Sequence, residues 1–174
     1  MRRREHGDVV RRRKGRGGPD PPSRRELQRL RQFLRKSTSG PLEKLREARP
    51  RRAYGSSGSI HALAHLAHWE ETASPIAHVN GHVLTLASLK AVARRLQGMT
   101  REERDRLPAL DAHRAEIIVA GAIVLEHVLE ELGLDRITLS DFGVREGLVN
   151  DYVQQHAGEI RSEERRVGKE CRSR

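Results

Sequence analysis

Cysteine, aromatic residues and long apolar runs are all scarce in this 174-residue chain, and each scarcity closes off a class of protein. A single cysteine, Cys171, allows no disulfide framework and no cysteine-based metal site, which fits a reducing cytoplasm as the expected location. One Trp, two Tyr and two Phe leave little for stacking on nucleic-acid bases, so the core must be built from Leu, Ile, Val and Ala. The longest apolar run, Ile117 to Leu125, is nine residues long between Glu116 and Glu126. A bilayer-crossing helix takes roughly 20, so no membrane partner is expected.

What the chain does have is charge, and its placement matters more than its sum of +10. Residues 1–18 carry eight Lys/Arg against two Asp/Glu, and residues 161–174 carry six against three. The middle is nearly neutral, 20 against 19. We therefore expect a disordered basic head at 1–18, a folded unit at 19–157 and a disordered tail at 158–174. No apolar stretch follows the head's charges, so it does not read as a secretory signal. From Arg161 onward the tail breaks in character from what precedes it and resembles translated adapter sequence, so a non-native origin is expected.

Apolar spacing marks an amphipathic helix after Ser23, with Leu27, Leu30, Phe33 and Leu34 on one face. Ser39-Gly40-Pro41 is expected to interrupt it and start a second short helix to Ala48. Residues 51–54 and 136–139 read as strands, 60–69 as a helix, and 76–85 as a hairpin about Asn80-Gly81. Thr85 should cap a helix to Leu96, and Thr100-Arg-Glu-Glu opens a capped turn that stops at Pro108. Asp111 to Leu132, apolar nearly all round and closed by Gly133, predicts a buried helix. A last helix is expected from Leu148 to Gln155. The pattern is α/β and helix-rich.

Two glycine-bearing turns stand where a strand hands over to a helix. The first is Gly55, Ser56, Ser57, Gly58 and Ser59; the second runs from Asp141 through Gly143, Arg145 and Glu146 to Gly147. Such a turn lets backbone approach an anion, and the first N–H groups of the helix are unpaired and partly positive. The first turn reads either as a phosphate loop or as an ordinary Gly/Ser linker. The second reads either as a substrate contact or as a structural turn, with Gly143 in a special backbone angle, Asp141 capping amides and Arg145 paired with an acid. His61, His65 and His68 share one helix face, but without a fourth ligand they read as a solvated row rather than a metal site. Asp141-Phe142-Gly143 matches a kinase triplet whose companion motifs are missing. Arg114 and Glu116 could orient phosphate or pair with neighbours, and Arg51-Arg52 and Arg94-Arg95 read as surface charge.

Taken together, Tyr54-Gly55-Ser56-Ser57-Gly58-Ser59-Ile60, Leu84-Thr85-Leu86, Leu107-Pro108-Ala109-Leu110-Asp111 with Arg114-Ala115-Glu116-Ile117-Ile118, Ala120-Gly121-Ala122, Ile137-Thr138-Leu139-Ser140-Asp141 and Gly143-Val144-Arg145-Glu146-Gly147-Leu148 resemble the exopolyphosphatase and guanosine pentaphosphate phosphatase (Ppx/GppA) family, from about Pro19 to His156. The resemblance implies a partial second lobe of an actin-like (sugar kinase/Hsp70/actin) ATPase fold. It further implies a hydrolase that removes terminal phosphates from polyphosphate or guanosine pentaphosphate with Mg²⁺ in the intact parent, and a parent that forms homodimers. The family's catalytic glutamate, first phosphate loop and Asp-x-Gly-Gly-Gly-Ser turn do not occur here. No catalytic residue or metal ligand is therefore expected in this chain, which should be inactive alone. The rival reading is a nucleic-acid-binding module that uses the arginine-rich head; the near-neutral middle and the few aromatics weigh against specific nucleic-acid recognition.

Overall fold

A computed structural model of the chain describes residues 18–108 and 110–156, so the basic head, apart from Gly18, and the tail lie outside the described residues. Helix α1 (Arg24–Glu47) begins at a capping box in which Ser23 Oγ accepts the Glu26 N–H and Glu26 returns a carboxylate oxygen to the Ser23 N–H. The expected interruption at Ser39-Gly40-Pro41 does not occur; α1 runs through Pro41. Proline there removes one helical hydrogen bond at a cost of about 3 kcal/mol. Leu34, Thr38, Leu42 and Arg46 fall on one row of α1, at four-residue spacing. Leu34 and Leu42 are buried, worth about 2 kcal/mol each. On the same row Thr38 Oγ1 lies 2.9 Å from His127 Nε2, and Arg46 Nε donates to the Glu131 carbonyl at 2.8 Å. Breaking the helix would forfeit these anchors, so packing overrides the proline.

Strands β1 (Tyr54–Gly55), β2 (Val83–Thr85) and β3 (Arg136–Leu139) form one sheet in the order β1-β3-β2. β1 runs parallel to β3, with Gly55 opposite Leu139, and β2 runs antiparallel to it, with Leu84 opposite Ile137. In β3 the buried residues are Ile137 and Leu139, the alternation of a strand with one face inward. Residues 76–79 form no strand, which corrects the expected hairpin. The Asn80-Gly81 turn is present, with Gly81 at φ +84°, but it leads into a strand whose partner is β3. Gly81 N–H donates to the Leu139 carbonyl and Leu139 N–H to the His82 carbonyl. The tight turn survives and its anticipated first arm does not.

Helices α2 (Gly58–Thr72), α3 (Leu86–Gln97) and α5 (Ala112–Glu131) pack on one another and supply most of the core, including Leu63, Leu66, Leu89, Val92, Leu96, Ile118, Ile123 and Leu129. α5 ends as its sequence anticipates: Gly133 takes φ +66°, its N–H bonds the Glu130 carbonyl, and the Leu134 N–H bonds the Leu129 carbonyl. The expectation that α5 is buried all round needs correction, because Ile117 and Val124 are 45% and 39% exposed. Short helix α4 (Arg101–Asp105) carries Arg104, 4% exposed, whose guanidinium donates to the Ala115 carbonyl and reaches Asp20 at 3.3 Å. That one side chain ties the N-terminal lead to the start of α5. Helix α6 (Val144–Gln155) closes the described chain, beginning inside the second glycine turn rather than at Leu148.

Candidate functional site

Because β1 and β3 are parallel neighbours, both glycine turns leave the same end of the sheet. The Ser140 N–H donates to the Gly55 carbonyl at 2.9 Å, and His61 Nε2 on α2 lies 3.1 Å from the Ser140 carbonyl oxygen. The Asn80 side chain joins them by accepting the Asp141 N–H at 3.4 Å. Three turns, at 55–58, 80–82 and 140–143, thus meet beyond the last residue of β3.

In the first turn the five candidate residues have different surroundings. Gly55 is buried, and a Cβ on it would lie 2.8 Å from Ile60 Cδ1 and 2.9 Å from Ile137 Cδ1. Its missing side chain makes room for the packing of α2 on β3. Ser56 and Ser57 are exposed at the mouth. Ser57 is the N-cap of α2, its Oγ accepting the Ile60 N–H at 3.3 Å, which leaves its hydroxyl proton able to donate outward. Ser59 packs toward α5 at Gly121, where a Cβ would stand 3.6 Å from the serine Cβ. Gly58 opens α2, and its first-turn N–H groups have no helical acceptor. No acidic residue lies in that turn.

Directly over Gly58 lies the guanidinium of Arg114, so close that a Cβ on Gly58 would sit 2.8 Å from one terminal nitrogen. Arg114 also pairs with Asp111, the N-cap of α5, at 3.2 Å. The sequence offered two readings of Arg114, and the structure supplies a neighbour for each. Pairing with Asp111 is what spacing suggests. Contact with Gly58, 56 residues earlier in the chain, is invisible in sequence because it depends on how α5 packs on α2. Glu116, by contrast, lies 3.9 Å from Arg101.

At the second turn the chemistry is opposite. Gly143 is extended (φ −105°, ψ −164°), a conformation any residue can take, and its N–H donates to Glu146 Oε2 at 2.8 Å. Bonds from its own and Gly143's backbone N–H groups hold the Glu146 carboxyl below its usual range. The Gly143 and Glu146 amides at the start of α6 already face a carboxylate. Ser140 Oγ bridges the Phe142 N–H and carbonyl, while Asp141, Arg145 and Gly147 are exposed around the turn.

The histidine row is less solvated than its spacing suggested: His61, His65 and His68 are all partly buried, and His68 meets His82 edge to face at 5.2 Å. Burial foremost, and then the neighbouring His61 and His68, lower the pKa of His65. His82 is lowered by burial, then by His68 and His65, against a raising pull from Glu71. Among the described residues no three His, Cys, Asp or Glu side chains are placed to hold a metal ion. The 55–59 turn offers hydroxyls, amides and the Arg114 guanidinium, and so no donor set that suits the Mg²⁺ implied by the resemblance, whereas the carboxylates of Asp141 and Glu146 stand at the second turn. No described helix is long and apolar enough to cross a membrane.

The Ppx/GppA phosphatase family matches residues 18–156. Among curated relatives, exopolyphosphatase 2 of Mycobacterium tuberculosis is 32% identical over 133 residues, which cover 74% of this chain and 41% of the relative. Exopolyphosphatase 1 of Mycobacterium leprae is 31% identical over 132 residues, 75% of this chain and 38% of its own length. The crystal structure of the Ppx/GppA family member from Aquifex aeolicus superposes with a TM-score of 0.65 at 28% identity, over 79% of this chain and 44% of that one. An exopolyphosphatase from Cytophaga hutchinsonii shares the fold, with a TM-score of 0.72 at 21% identity over 80% of this chain and 45% of that one. The chain thus spans about two fifths of the length of the curated relatives it matches. Its helix-rich α/β architecture is part of a lobe of the actin-like ATPase fold, and by the extent of the match from residue 18 to 156 the chain belongs to the Ppx/GppA phosphatase family.

Proposed function

We propose that the turn at Gly55–Ser59, with Arg114 laid over Gly58, grips the phosphates of an anhydride-linked oligophosphate, either inorganic polyphosphate or guanosine pentaphosphate, on behalf of a phosphatase. The observation that carries this reading is the convergence of an acid-free helix start and a guanidinium at one end of two parallel strands. Exposed hydroxyls of Ser56 and Ser57 and the first amides of α2 supply neutral donors, and Arg114 supplies charge in the planar form that suits phosphate. Gly58 keeps the guanidinium close.

Hydrolysis of a phosphoanhydride also takes an oriented water, a base within hydrogen-bond reach of it, and cations balancing charge on the transferring group. The Gly55–Ser59 turn contains hydroxyls and amides but no carboxylate or imidazole to serve as base. On this reading the chain contributes binding and orientation, with water activation and Mg²⁺ supplied by parts of the family fold outside these residues, and by itself releases no phosphate. Which oligophosphate is chosen depends on contacts beyond this turn.

The test is titration of the full chain with tripolyphosphate by calorimetry, in salt high enough to screen the arginine-rich head. Arg114→Gln should weaken binding about tenfold, in line with the loss of one charge-assisted hydrogen bond. Equal affinity in wild type and variant would remove the basis of the reading.

A further inference from the structure

We propose that Asp20 and Arg104 are positioning residues of the phosphate turn: acting through the first turn of α5, they hold Arg114 over Gly58. The proposal rests on the reading above and names what keeps that site in shape.

Among the described residues Arg104 is the only charged side chain that is buried. Taking a guanidinium out of water is costly unless acceptors meet it. Here three do, each from a different part of the chain. Nε donates to the Ala115 carbonyl at 2.9 Å, one terminal nitrogen donates to the Met99 carbonyl, and the other reaches Asp20 Oδ1 at 3.3 Å. The second oxygen of Asp20 accepts the N–H of Arg101, the first residue of α4, at 2.6 Å. The lead into α1, the connection from α3 to α4, α4 itself and the start of α5 therefore meet at one fork. Filling space would not call for this arrangement, since apolar residues in place of a buried ion pair often leave stability unchanged. What the planar fork supplies, and an apolar chain does not, is fixed geometry among several acceptors.

The fork grips α5 beside the candidate site. Ala115, fully buried, directly follows Arg114, the third residue of the helix. The Arg114 N–H donates to Asp111 Oδ1 at 2.7 Å and its guanidinium pairs with the same carboxylate at 3.2 Å, so backbone, side chain and cap move together with that turn. Clearance over Gly58 is small: a Cβ there would lie 2.8 Å from one guanidinium nitrogen and 3.1 Å from the central carbon. A group seated so closely is sensitive to a shift of about an ångström in the helix that carries it. Arg101 adds a second reach from α4 to the same turn, 3.9 Å from Glu116.

The experiment titrates tripolyphosphate into the full chain by calorimetry, under the salt conditions set for Arg114→Gln, and follows the Arg114 Nε–Hε resonance by NMR. Asp20→Ala is the main variant. The Asp20 side chain is 36% exposed and Arg104 keeps both of its carbonyl acceptors, so the chain stays folded. Tripolyphosphate binding should weaken about fivefold, and the Arg114 resonance should shift or broaden before any ligand is added. In an Arg114→Gln background the same substitution should change affinity by less than about twofold, because the group it positions is gone. Arg104→Lys, which keeps the charge and loses the fork, should act in the same direction as Asp20→Ala. Glu131→Gln, which weakens the tie to Arg46 at the far end of α5, should leave both affinity and the Arg114 resonance unchanged.

An unmoved Arg114 resonance in Asp20→Ala, equal losses of affinity in the two backgrounds, or unchanged affinity in Asp20→Ala where Arg114→Gln weakens it would each overturn the proposal and leave the fork a brace of the fold. Arg114→Gln binding as tightly as wild type, with the Arg114 resonance still moved by Asp20→Ala, would support the hold on Arg114 and count instead against the phosphate reading.

Discussion

Helices α2 and α6 start from the ends of adjacent parallel strands, after turns of similar composition, and they share almost nothing else. α2 begins without an acid, has Arg114 over its first residue and buries Ala62, Leu63, Ala64, Leu66 and Ala67. α6 begins with Glu146 bonded to its N-cap amide and buries nothing. The contrast separates two uses of a glycine turn. In the first, the helix dipole and a guanidinium meet at a helix start without an acid; in the second, a side-chain carboxylate takes up the N-cap amide internally. A glycine pattern alone does not distinguish the two. The residue three places into the helix and the neighbour arriving from another element do.

The largest test of that contrast is mechanical. Leu63, 1% exposed in α2, should cost about 2–5 kcal/mol when truncated to alanine, because the cavity sits among α2, α3 and α5. Leu148→Ala in α6, 65% exposed, should stay within about 0.5 kcal/mol. Urea midpoints of the two variants measure both, and similar losses would mean that α6 is packed after all. Next in size is Gly58→Ala. The added methyl meets only the end of a flexible arginine side chain, so thermal stability should hold while tripolyphosphate affinity falls several-fold as Arg114 is pushed aside. An affinity loss matched by a stability loss would assign Gly58 to packing, as Gly55 already is.

Much of this was legible in the chain. Ser23 with Glu26, Thr85, Thr100 with Glu103, Asp111 and Gly133 announce helix ends through local hydrogen bonds, and Arg136–Leu139 shows the alternation of a half-buried strand. What was not legible is whatever a distant element decides. Pro41 reads as a break until the row from Leu34 to Arg46 meets α5. Asn80-Gly81 reads as a hairpin until β3 takes the second arm. The candidate site divides the same way: the 55–59 turn is plain in sequence, but the Ile60 and Ile137 methyls that fill the space at Gly55, and the Arg114 guanidinium over Gly58, come from the packing of α5 and β3 against α2.

A smaller effect sharpens the comparison from the side of α6. The Glu146 carboxyl is held below its ordinary value of 4.5, so the folded helix binds this proton more weakly than the unfolded chain does. Its stabilisation is present in full above that value and disappears as pH falls through the lowered pKa. Helicity of α6, followed by amide exchange, should drop on acidification below about pH 4.5, and Glu146→Gln should show the reduced helicity at every pH. The start of α2, which has no acid, should show no counterpart. An α6 whose exchange ignores both pH and the substitution would show that the carboxylate bond does not matter to it.

The smallest effect belongs to the histidines that brace the turns. His65 and His82 both have lowered pKa values, so near their usual 6.5 the unfolded chain binds protons more readily than the folded one, and stability must fall as pH drops through that range. The direction matches that of Glu146 but the window is higher, which lets the two be separated. Both rings keep part of their solvent contact, and Glu71 pulls His82 the opposite way, so the slope should be shallow. His65→Asn removes one of the two rings with a lowered pKa and relieves His82 of one positive neighbour. The urea midpoint of the variant should therefore change less than that of wild type between about pH 7 and pH 5.5. An unaltered slope would place the proton uptake elsewhere and leave the row from His61 to His68 as a set of packing contacts between α2 and the turn at 80–82.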